Sequence, residues 1–194
     1  MKHVIIALDF DGCMASPEKS KIKHTKRMYN KEVKPTDLAI DIYPLGNEKY
    51  IKLTKYVMSE GIMEFELLPN VKEVLDKLYE KGFRFSVVTA RMQNSEHQEL
   101  SACKKYCKHH QLPIEDFYNT NEQPKDDICN KIGAAAIIDD TLDKLIPLKK
   151  TNMKLFYLQQ PWNSHKKNKD QRIINVNHWN DFYDILLETF QKNN

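Results

Sequence analysis

Two aspartates follow a short, strongly apolar run near the start of the chain. The run Val4–Leu8 is rich in β-branched residues, which predicts a strand buried on both faces of a parallel sheet. Asp9 and Asp11 then lie at the carboxyl end of that strand, where open α/β sheets bind ligands, and Gly12 lets the backbone turn sharply there. The alternative is that both carboxylates face water or cap a turn, and the rest of the chain has to decide between the two.

Two further apolar runs also end in polar groups. One ends at Thr89, and the other ends at Asp139 and Asp140, with Lys125 opening the helix that precedes it. Carboxylates from two strand ends can ligate a hard cation such as Mg²⁺, and a hydroxyl with free backbone N–H groups suits a phosphate oxygen. A lysine offers positive charge to the same phosphate. Together these groups indicate a phosphoryl-transfer site.

Helices and strands alternate over the last two-thirds of the chain. Apolar spacing predicts a helix between Asn70 and Gly82, with Glu73 closing a capping box. The remaining predicted elements are strands over residues 83–88, 116–118, 134–138 and 155–158, and helices from Asn94 or Ser95 to 110, from 124 to Gly133, from Thr141 to 148 and over 179–187. This order predicts βαβ units and a parallel sheet whose strand ends share one edge.

The segment 17–68 interrupts this alternation. It is polar at first, becomes helical around residues 47–59, and lies between the first two strands of the sheet. We therefore expect a small cap over the active edge, with residues 1–16 and 69–194 forming the catalytic core. A chain of 194 residues can hold one substantial core and such an appendage.

The charged residues are unevenly distributed. The formal net charge is +3, and the basic residues concentrate in the stretches 19–34 and 165–172. Such clusters suit phosphate-bearing ligands, although a solvated face is the commoner explanation of any one of them. Because no stretch has the length of a membrane span and no signal-peptide core is visible, we expect a cytoplasmic protein without a membrane partner.

The four cysteines form no dense framework. Cys103 and Cys107 could share a helical face with His110 and bind a metal, yet an obvious fourth ligand is lacking. We favour buried or half-buried thiols in a reducing compartment.

The ordered motifs of the chain resemble those of the haloacid-dehalogenase-like (HAD) superfamily. They are LDFDG, VVTAR, a lysine before the helix KDDICNKIG, and AIIDD. The resemblance covers most of the chain outside the cap and implies a Rossmann-like α/β core. In that core a central parallel sheet is flanked by helices, and a small helical cap is inserted after the first strand. Cys13 stands where the family often has Thr or Val, and its similar volume can fill the same place.

The resemblance implies the catalytic roles. Asp9 would be the nucleophile that forms an aspartyl-phosphate, and Asp11 would protonate the leaving oxygen and later activate water. Thr89 and the neighbouring N–H groups around Ala90 would hold the phosphate. Arg91 would reach the phosphate or the cap, or would pair instead with a structural carboxylate.

The resemblance also implies a Mg²⁺ site and a charge-balancing lysine. The ion would be bound by the carboxylates of Asp9 and Asp139 and by the main-chain carbonyl of Asp11. Asp140 would lie behind these ligands and support them. Lys125 would balance the charge of the phosphate and of the nucleophile. The alternative is Lys131, which lies closer to the last motif but deep in its helix.

Within the superfamily, the early short cap, the T-A-R ending and the late Pro-Trp-Asn segment resemble the 5′(3′)-deoxyribonucleotidase group and its uncharacterised bacterial relatives. This implies a Mg²⁺-dependent phosphomonoesterase acting on a small phosphorylated metabolite, with a nucleoside monophosphate favoured. Sugar phosphates and nucleic-acid 3′ ends are the alternative substrates. A non-catalytic phosphate- or nucleic-acid-binding module is a further alternative, which the intact motif set opposes. The oligomeric state is left open.

Overall fold

The computed structural model describes residues 3–91, 98–121, 123–148 and 152–191. Strands and helices alternate along most of this length, as expected. In chain order the elements are β1 (Val4–Leu8), β2 (Ala15–Ser16), α1 (Glu18–Tyr29), α2 (Asn47–Glu60), β3 (Glu66–Leu67), α3 (Val71–Glu80), β4 (Phe83–Thr89), α4 (Gln98–His109), β5 (Ile114–Asn119), α5 (Asp126–Ile132), β6 (Ala134–Asp139), α6 (Leu142–Leu145), β7 (Lys154–Leu158), β8 (Ile173–Val176) and α7 (Trp179–Gln191).

Six strands form one parallel sheet in the order β5-β4-β1-β6-β7-β8. β1 lies inside the sheet between β4 and β6, and Ile6, Ala7 and Leu8 are fully buried. This confirms the predicted parallel α/β sheet with β1 covered on both faces. Strands that are buried on both sides read as continuous apolar runs, which is why this pattern was visible in the sequence.

The segment expected to form the cap begins and ends at a short ribbon. β2 and β3 pair antiparallel, with Ala15 opposite Leu67, so the two ends of this segment leave the sheet side by side. Between them α1 packs against α2, and Thr25 and Tyr43 share a buried hydrogen bond of 2.8 Å between their hydroxyl oxygens.

Helix α1 was not predicted, because it lacks an apolar stripe. Its buried residues are all polar or charged: Ser20, Lys21, His24 and Thr25. Binary patterning finds helices that bury apolar side chains, and it misses a helix whose inner face is polar.

Two other local expectations were wrong, and one further strand was missed. Strand β8 was not predicted, because Ile173–Val176 is short and partly exposed. Helix α6 ends at Leu145, earlier than expected, and Asn70 makes no capping hydrogen bond because its own backbone is left-handed, with φ of 64°. The expected start of α4 at Asn94 or Ser95 lies outside the described residues.

Three lysines of the basic stretch are exposed and the four cysteines are buried, which agrees with the simpler expectation for each group. Lysines of the basic stretch 19–34 form ion pairs with neighbouring acidic residues: Lys19 with Glu66, Lys23 with Glu64, and Lys26 with Glu32. All four cysteines are buried and free. None of the helices in the described part of the chain has the length and apolar character needed to span a bilayer.

Trp179 of α7 connects the closing helix to the loop after β1. Its ring is 1% exposed and packs edge-on against Phe182, and its Nε1 donates a hydrogen bond of 2.9 Å to the carbonyl of Cys13. Packing of α7 therefore helps to hold the D-x-D-G loop.

We expect Trp179→Phe to lower the free energy of unfolding by about 1–3 kcal/mol, because it leaves the buried Cys13 carbonyl without its donor. Urea denaturation monitored by circular dichroism measures this change. The matched control is Tyr79→Phe at a partly exposed ring, which should change the free energy by less than about 0.5 kcal/mol. Equal stability of Trp179→Phe and the wild type would contradict the role given to this hydrogen bond.

Candidate active site

The register of the sheet brings the predicted site residues to one edge. Leu8 lies opposite Val87 of β4 and Ile138 of β6, so Asp9 stands beside the ends of both neighbouring strands. The N–H of Asp9 continues the ladder by donating to the carbonyl of Ile138 at 2.9 Å. Two of the strand ends therefore present Asp9 and Asp139 side by side.

Lys125 joins these two aspartates. Its Nζ lies 2.5 Å from Oδ1 of Asp9 and 2.7 Å from Oδ2 of Asp139, and the residue is only 1% exposed. Burial alone would lower the pKa of Lys125, but the charges of Asp139 and Asp9 outweigh it and raise that pKa. Lys131, the alternative lysine, is exposed on α5.

Asp140 is held by the turn that follows β7. Trp162 Nε1 donates to its Oδ2 at 2.8 Å, Thr141 Oγ1 donates to its Oδ1 at 3.1 Å, and Asn163 Nδ2 donates to its main-chain carbonyl at 2.7 Å. In the sequence, Trp162 and Asn163 stood out only as part of the late segment that resembles the deoxyribonucleotidase group. Their contacts with Asp140 join residues more than twenty positions apart, so no local signal could reveal them.

Asp9, Asp139 and Asp140 form the one group of acidic, histidine or cysteine side chains in the described ranges that could hold a metal ion. Each offers an oxygen within 4.8 Å of the others. Burial raises the pKa of Asp9 even though Lys125 opposes it, and burial together with the charge of Asp139 raises the pKa of Asp140 to about 7. Three carboxylates face one ammonium group, and a divalent cation with oxygen ligands fits this excess of negative charge. One carboxylate oxygen of Asp140 thus lies as close to the other two aspartates as they lie to each other, within 4.8 Å.

Asp11 points to a different partner. Arg91 donates two hydrogen bonds to the Asp11 carboxylate, from Nε to Oδ2 at 2.6 Å and from Nη2 to Oδ1 at 2.5 Å. The guanidinium also donates to the main-chain carbonyl of Met58 on α2 and lies over the ring of Phe10. Arg91 was expected to reach the phosphate or the cap, or to pair with a carboxylate. In the structure it pairs with Asp11 and contacts the inserted helix α2. Such a fork fixes the direction in which the carboxylate points.

Both the backbone conformation and the close packing at position 12 require glycine. Its φ is +77°, and a Cβ there would lie 2.2 Å from Oδ2 of Asp140 and 3.1 Å from Cζ2 of Trp162. The D-x-D-G turn therefore packs directly against the side chain of Asp140, which only glycine permits.

Thr89 ends β4 at the same edge, and Ala90 follows it. Thr89 is 1% exposed, and its carbonyl accepts a hydrogen bond of 2.9 Å from the N–H of Thr120. Thr120 follows β5, and its buried hydroxyl has no hydrogen-bond partner among the described residues. Thr120 carries no local signal in the sequence, because no apolar run as long as those of β1, β4 and β6 precedes it.

A cavity of about 260 Å³ lies between this edge and the helices α1 and α2. Asp11, Gly12 and Asp140 line its base, and the inserted segment contributes further walls. The other lining residues are Pro17, Lys21, Leu38, Ala39, Ile40, Asp41, Tyr50, Thr54, Met58, Thr141, Leu142, Trp162, Asn163 and Lys166. A larger hollow of about 390 Å³ lies near the start of β6 and contains none of the predicted site residues, so we place the ligand cavity at the strand edge.

Solved structures share this fold at low sequence identity. A protein described as a predicted phosphatase from Clostridium acetobutylicum matches with a TM-score of 0.66 and 15% identity, covering 97% of this chain and 100% of that one. A haloacid dehalogenase-like hydrolase from Streptococcus pneumoniae (TM-score 0.60, 12% identity, 95% and 98% covered) and a HAD-superfamily hydrolase from Ehrlichia chaffeensis (0.60, 11%, 97% and 98%) also match. No curated protein matched the chain. These likenesses show a HAD-like α/β fold.

The match to a family model is more specific. The model of the 5′ nucleotidase, deoxy (pyrimidine), cytosolic type C protein family (NT5C) matches residues 3–192. The chain therefore belongs to this family, as the resemblance to the deoxyribonucleotidase group predicted.

The raised pKa of Asp140 leads to a prediction for the metal-free protein. Its pKa is about 7 in the folded state against an ordinary value of 3.8, so the folded state binds more protons than the unfolded state between these pH values. Stability contributed by this group is thus lost as the pH rises from about 4 to 7. At pH 8 with a chelator present, we expect Asp140→Asn to raise the free energy of unfolding by about 2–4 kcal/mol.

This gain should shrink towards zero as the pH approaches 4, since both side chains are then neutral. Urea denaturation at several pH values measures it, with the exposed Asp127→Asn as the control that shows no such pH-dependent gain. A constant difference at every pH would contradict the assignment.

Proposed function

We propose that this protein is a Mg²⁺-dependent phosphomonoesterase that hydrolyses nucleoside monophosphates through an aspartyl-phosphate. The observation that carries the proposal is the position of Asp9. It directly follows β1, its Oδ1 lies 2.5 Å from Nζ of Lys125, and it belongs to a group of three carboxylates. Asp11 follows two residues later and lines the adjacent cavity. Membership of a nucleotidase family supports the choice of substrate.

Asp9 is the proposed nucleophile. A carboxylate attacks phosphorus only when it is ionised, and Lys125 favours the ionised form by opposing the effect of burial on the pKa of Asp9. An oxygen of Asp9 forms the new bond to phosphorus, and the bond from phosphorus to the ester oxygen breaks. The leaving alkoxide takes a proton from Asp11 and departs as an alcohol.

Asp11 then acts as the base of the second step. Its deprotonated carboxylate takes a proton from water, the resulting hydroxide attacks phosphorus, and the bond to Asp9 breaks to release inorganic phosphate. Arg91 is the proposed positioning residue, because its two hydrogen bonds fix both oxygens of Asp11. The same contact connects Asp11 to α2 through the carbonyl of Met58.

The remaining charges support the transferring phosphoryl group. Asp9, Asp139 and Asp140, with the main-chain carbonyl of Asp11, are the proposed ligands of Mg²⁺, which would supply electrostatic stabilisation of the phosphoryl oxygens. The hydroxyl of Thr89 and the N–H groups of Ala90 and its neighbours are the proposed phosphate donors.

The cavity favours a small substrate over a nucleic-acid 3′ end. It measures about 260 Å³ and is walled by α1 and α2, which leaves little room for a polymer. Trp162 and Tyr50 line it and offer aromatic surface on which a base can pack. The lysines of the basic stretch that lie on the surface of α1 already pair with acidic neighbours.

We expect the purified protein with Mg²⁺ to release phosphate from nucleoside monophosphates, and Asp9→Asn to lower kcat by at least about 1,000-fold because the nucleophile is lost. A panel of phosphorylated metabolites, sugar phosphates included, measures this by phosphate release. The matched control is Asp116→Asn at an exposed carboxylate on β5, which should keep the wild-type rate. The proposal fails if Asp9→Asn retains the wild-type rate.

We expect Asp11→Asn to separate the two steps. With p-nitrophenyl phosphate the leaving phenolate needs no proton, so the first step proceeds and a burst of nitrophenolate equal to the enzyme concentration appears. Steady-state turnover should fall about 100- to 10,000-fold, because water then lacks its base. Stopped-flow absorbance measures both quantities. A slow reaction without any burst would contradict the role of Asp11 in the second step.

A further inference from the structure

Lys21 lines the ligand cavity and has no role in the proposed reaction. It lies on α1, its residue is 7% exposed, and it shares the cavity with Asp11 and Asp140 of the catalytic edge. Its Nζ donates to the hydroxyl of Tyr50 at 2.8 Å and lies 4.9 Å from the centre of the same ring. A largely buried lysine is therefore part of the wall of the cavity in which we place the substrate.

The contacts of Tyr50 leave Lys21 with unused donors. The Tyr50 hydroxyl donates its own proton to the carbonyl of Leu38 at 2.9 Å, so it meets Lys21 only as an acceptor. An ammonium group has three N–H donors, and the tyrosine takes one of them. Neutral contacts of this kind orient a lysine without balancing its charge.

No carboxylate of the described residues lies within ion-pair distance of Lys21 Nζ. Lys166, the other lysine of the cavity, pairs with Asp143 at 2.9 Å and with Asp41 at 4.0 Å. The acidic group that Lys21 influences is Asp140, on which it acts through space. Burying an ammonium group without a direct counter-ion is costly, and a bound anion would remove that cost.

Thr54 provides an independent observation in the same cavity. It lies on α2 and lines the cavity, and its Oγ1 is buried without a hydrogen-bond partner in the described part of the chain. Buried hydroxyls are nearly always paired. The cavity is thus lined by an unpaired hydroxyl and by an ammonium group without a carboxylate at ion-pair distance, and together they mark a place for a polar, negatively charged ligand group.

We propose that Lys21 and Thr54 bind a second anionic group of the substrate, distinct from the phosphate that reacts at Asp9. This inference rests on the proposed function and narrows it: the preferred substrate is a nucleoside monophosphate that carries a further carboxylate or phosphate. Tyr50 is the positioning residue that holds Lys21 towards the cavity.

Two matched substrate pairs test the two sources of negative charge. Orotidine 5′-monophosphate differs from uridine 5′-monophosphate by one carboxylate, and thymidine 3′,5′-bisphosphate differs from thymidine 5′-monophosphate by one phosphate. The readouts are kcat/KM in the wild type, with products identified by chromatography, and the dissociation constant on Asp9→Asn by calorimetry. The second readout needs no turnover.

We expect the anion-bearing member of at least one pair to be preferred about 10- to 100-fold, because a hydrogen bond between charged groups is strong. Lys21→Met should reduce this ratio to nearly one, and Thr54→Val should reduce it about 3- to 10-fold. The matched control is Lys23→Met on the same helix, an exposed lysine paired with Glu64, which should keep the ratio.

The outcomes separate this inference from the proposed function. A lack of preference in both pairs, or a ratio that Lys21→Met leaves unchanged, overturns the second anion site. Equal losses for both members of a pair would instead assign Lys21 to the shared phosphate or to the acidic cluster, and would likewise overturn it. If no substrate is turned over but the binding preference persists and depends on Lys21, the hydrolase proposal is wrong and the second anion site is supported.

Discussion

The charge balance around Lys125 is the constraint on which the rest of the site depends. Parallel pairing of β1 with β6 forces Asp9 and Asp139 together at one edge, and Asp140 adds a third carboxylate. Like charges at this separation repel strongly away from water. The ammonium group of Lys125 donates a hydrogen bond to Asp9 and another to Asp139. It offsets part of this repulsion but does not neutralise the three carboxylates. The remaining negative charge is what suits the edge to a cation.

Packing at a distance from this cluster keeps its geometry. Trp162 and Asn163 hold the side chain and the main chain of Asp140, and Gly12 leaves the space that the carboxylate occupies. Trp179 fixes the carbonyl of Cys13, directly after the D-x-D-G turn. The closing helix α7 therefore helps to position the loop that follows the first strand. The inserted helices take part through Arg91, which contacts both Asp11 and Met58.

Much of the core was predictable because it follows the binary pattern. β1, β4 and β6 are apolar runs, and α3 and α7 have apolar stripes. Each of the three strands leads into a polar group at the same edge of the sheet. Helix α1 differs, because its buried residues are polar: two of them, Lys21 and Thr25, form hydrogen bonds with tyrosines elsewhere in the insertion. No hydrophobic period marks such a helix, so its inner face was read as a solvated basic stretch.

The sequence by itself determined the parallel α/β class, the order of the motifs and the residues with chemistry at the strand ends, because strand burial and strand termination are local properties. Tertiary structure alone decided which of these groups meet. It set Lys125, and not Lys131, between two aspartates, paired Arg91 with Asp11, and brought Lys21 into the cavity above Asp140. These contacts depend on the register of the sheet and on how the insertion folds back over it, and residues far apart along the chain carry no local signal of either.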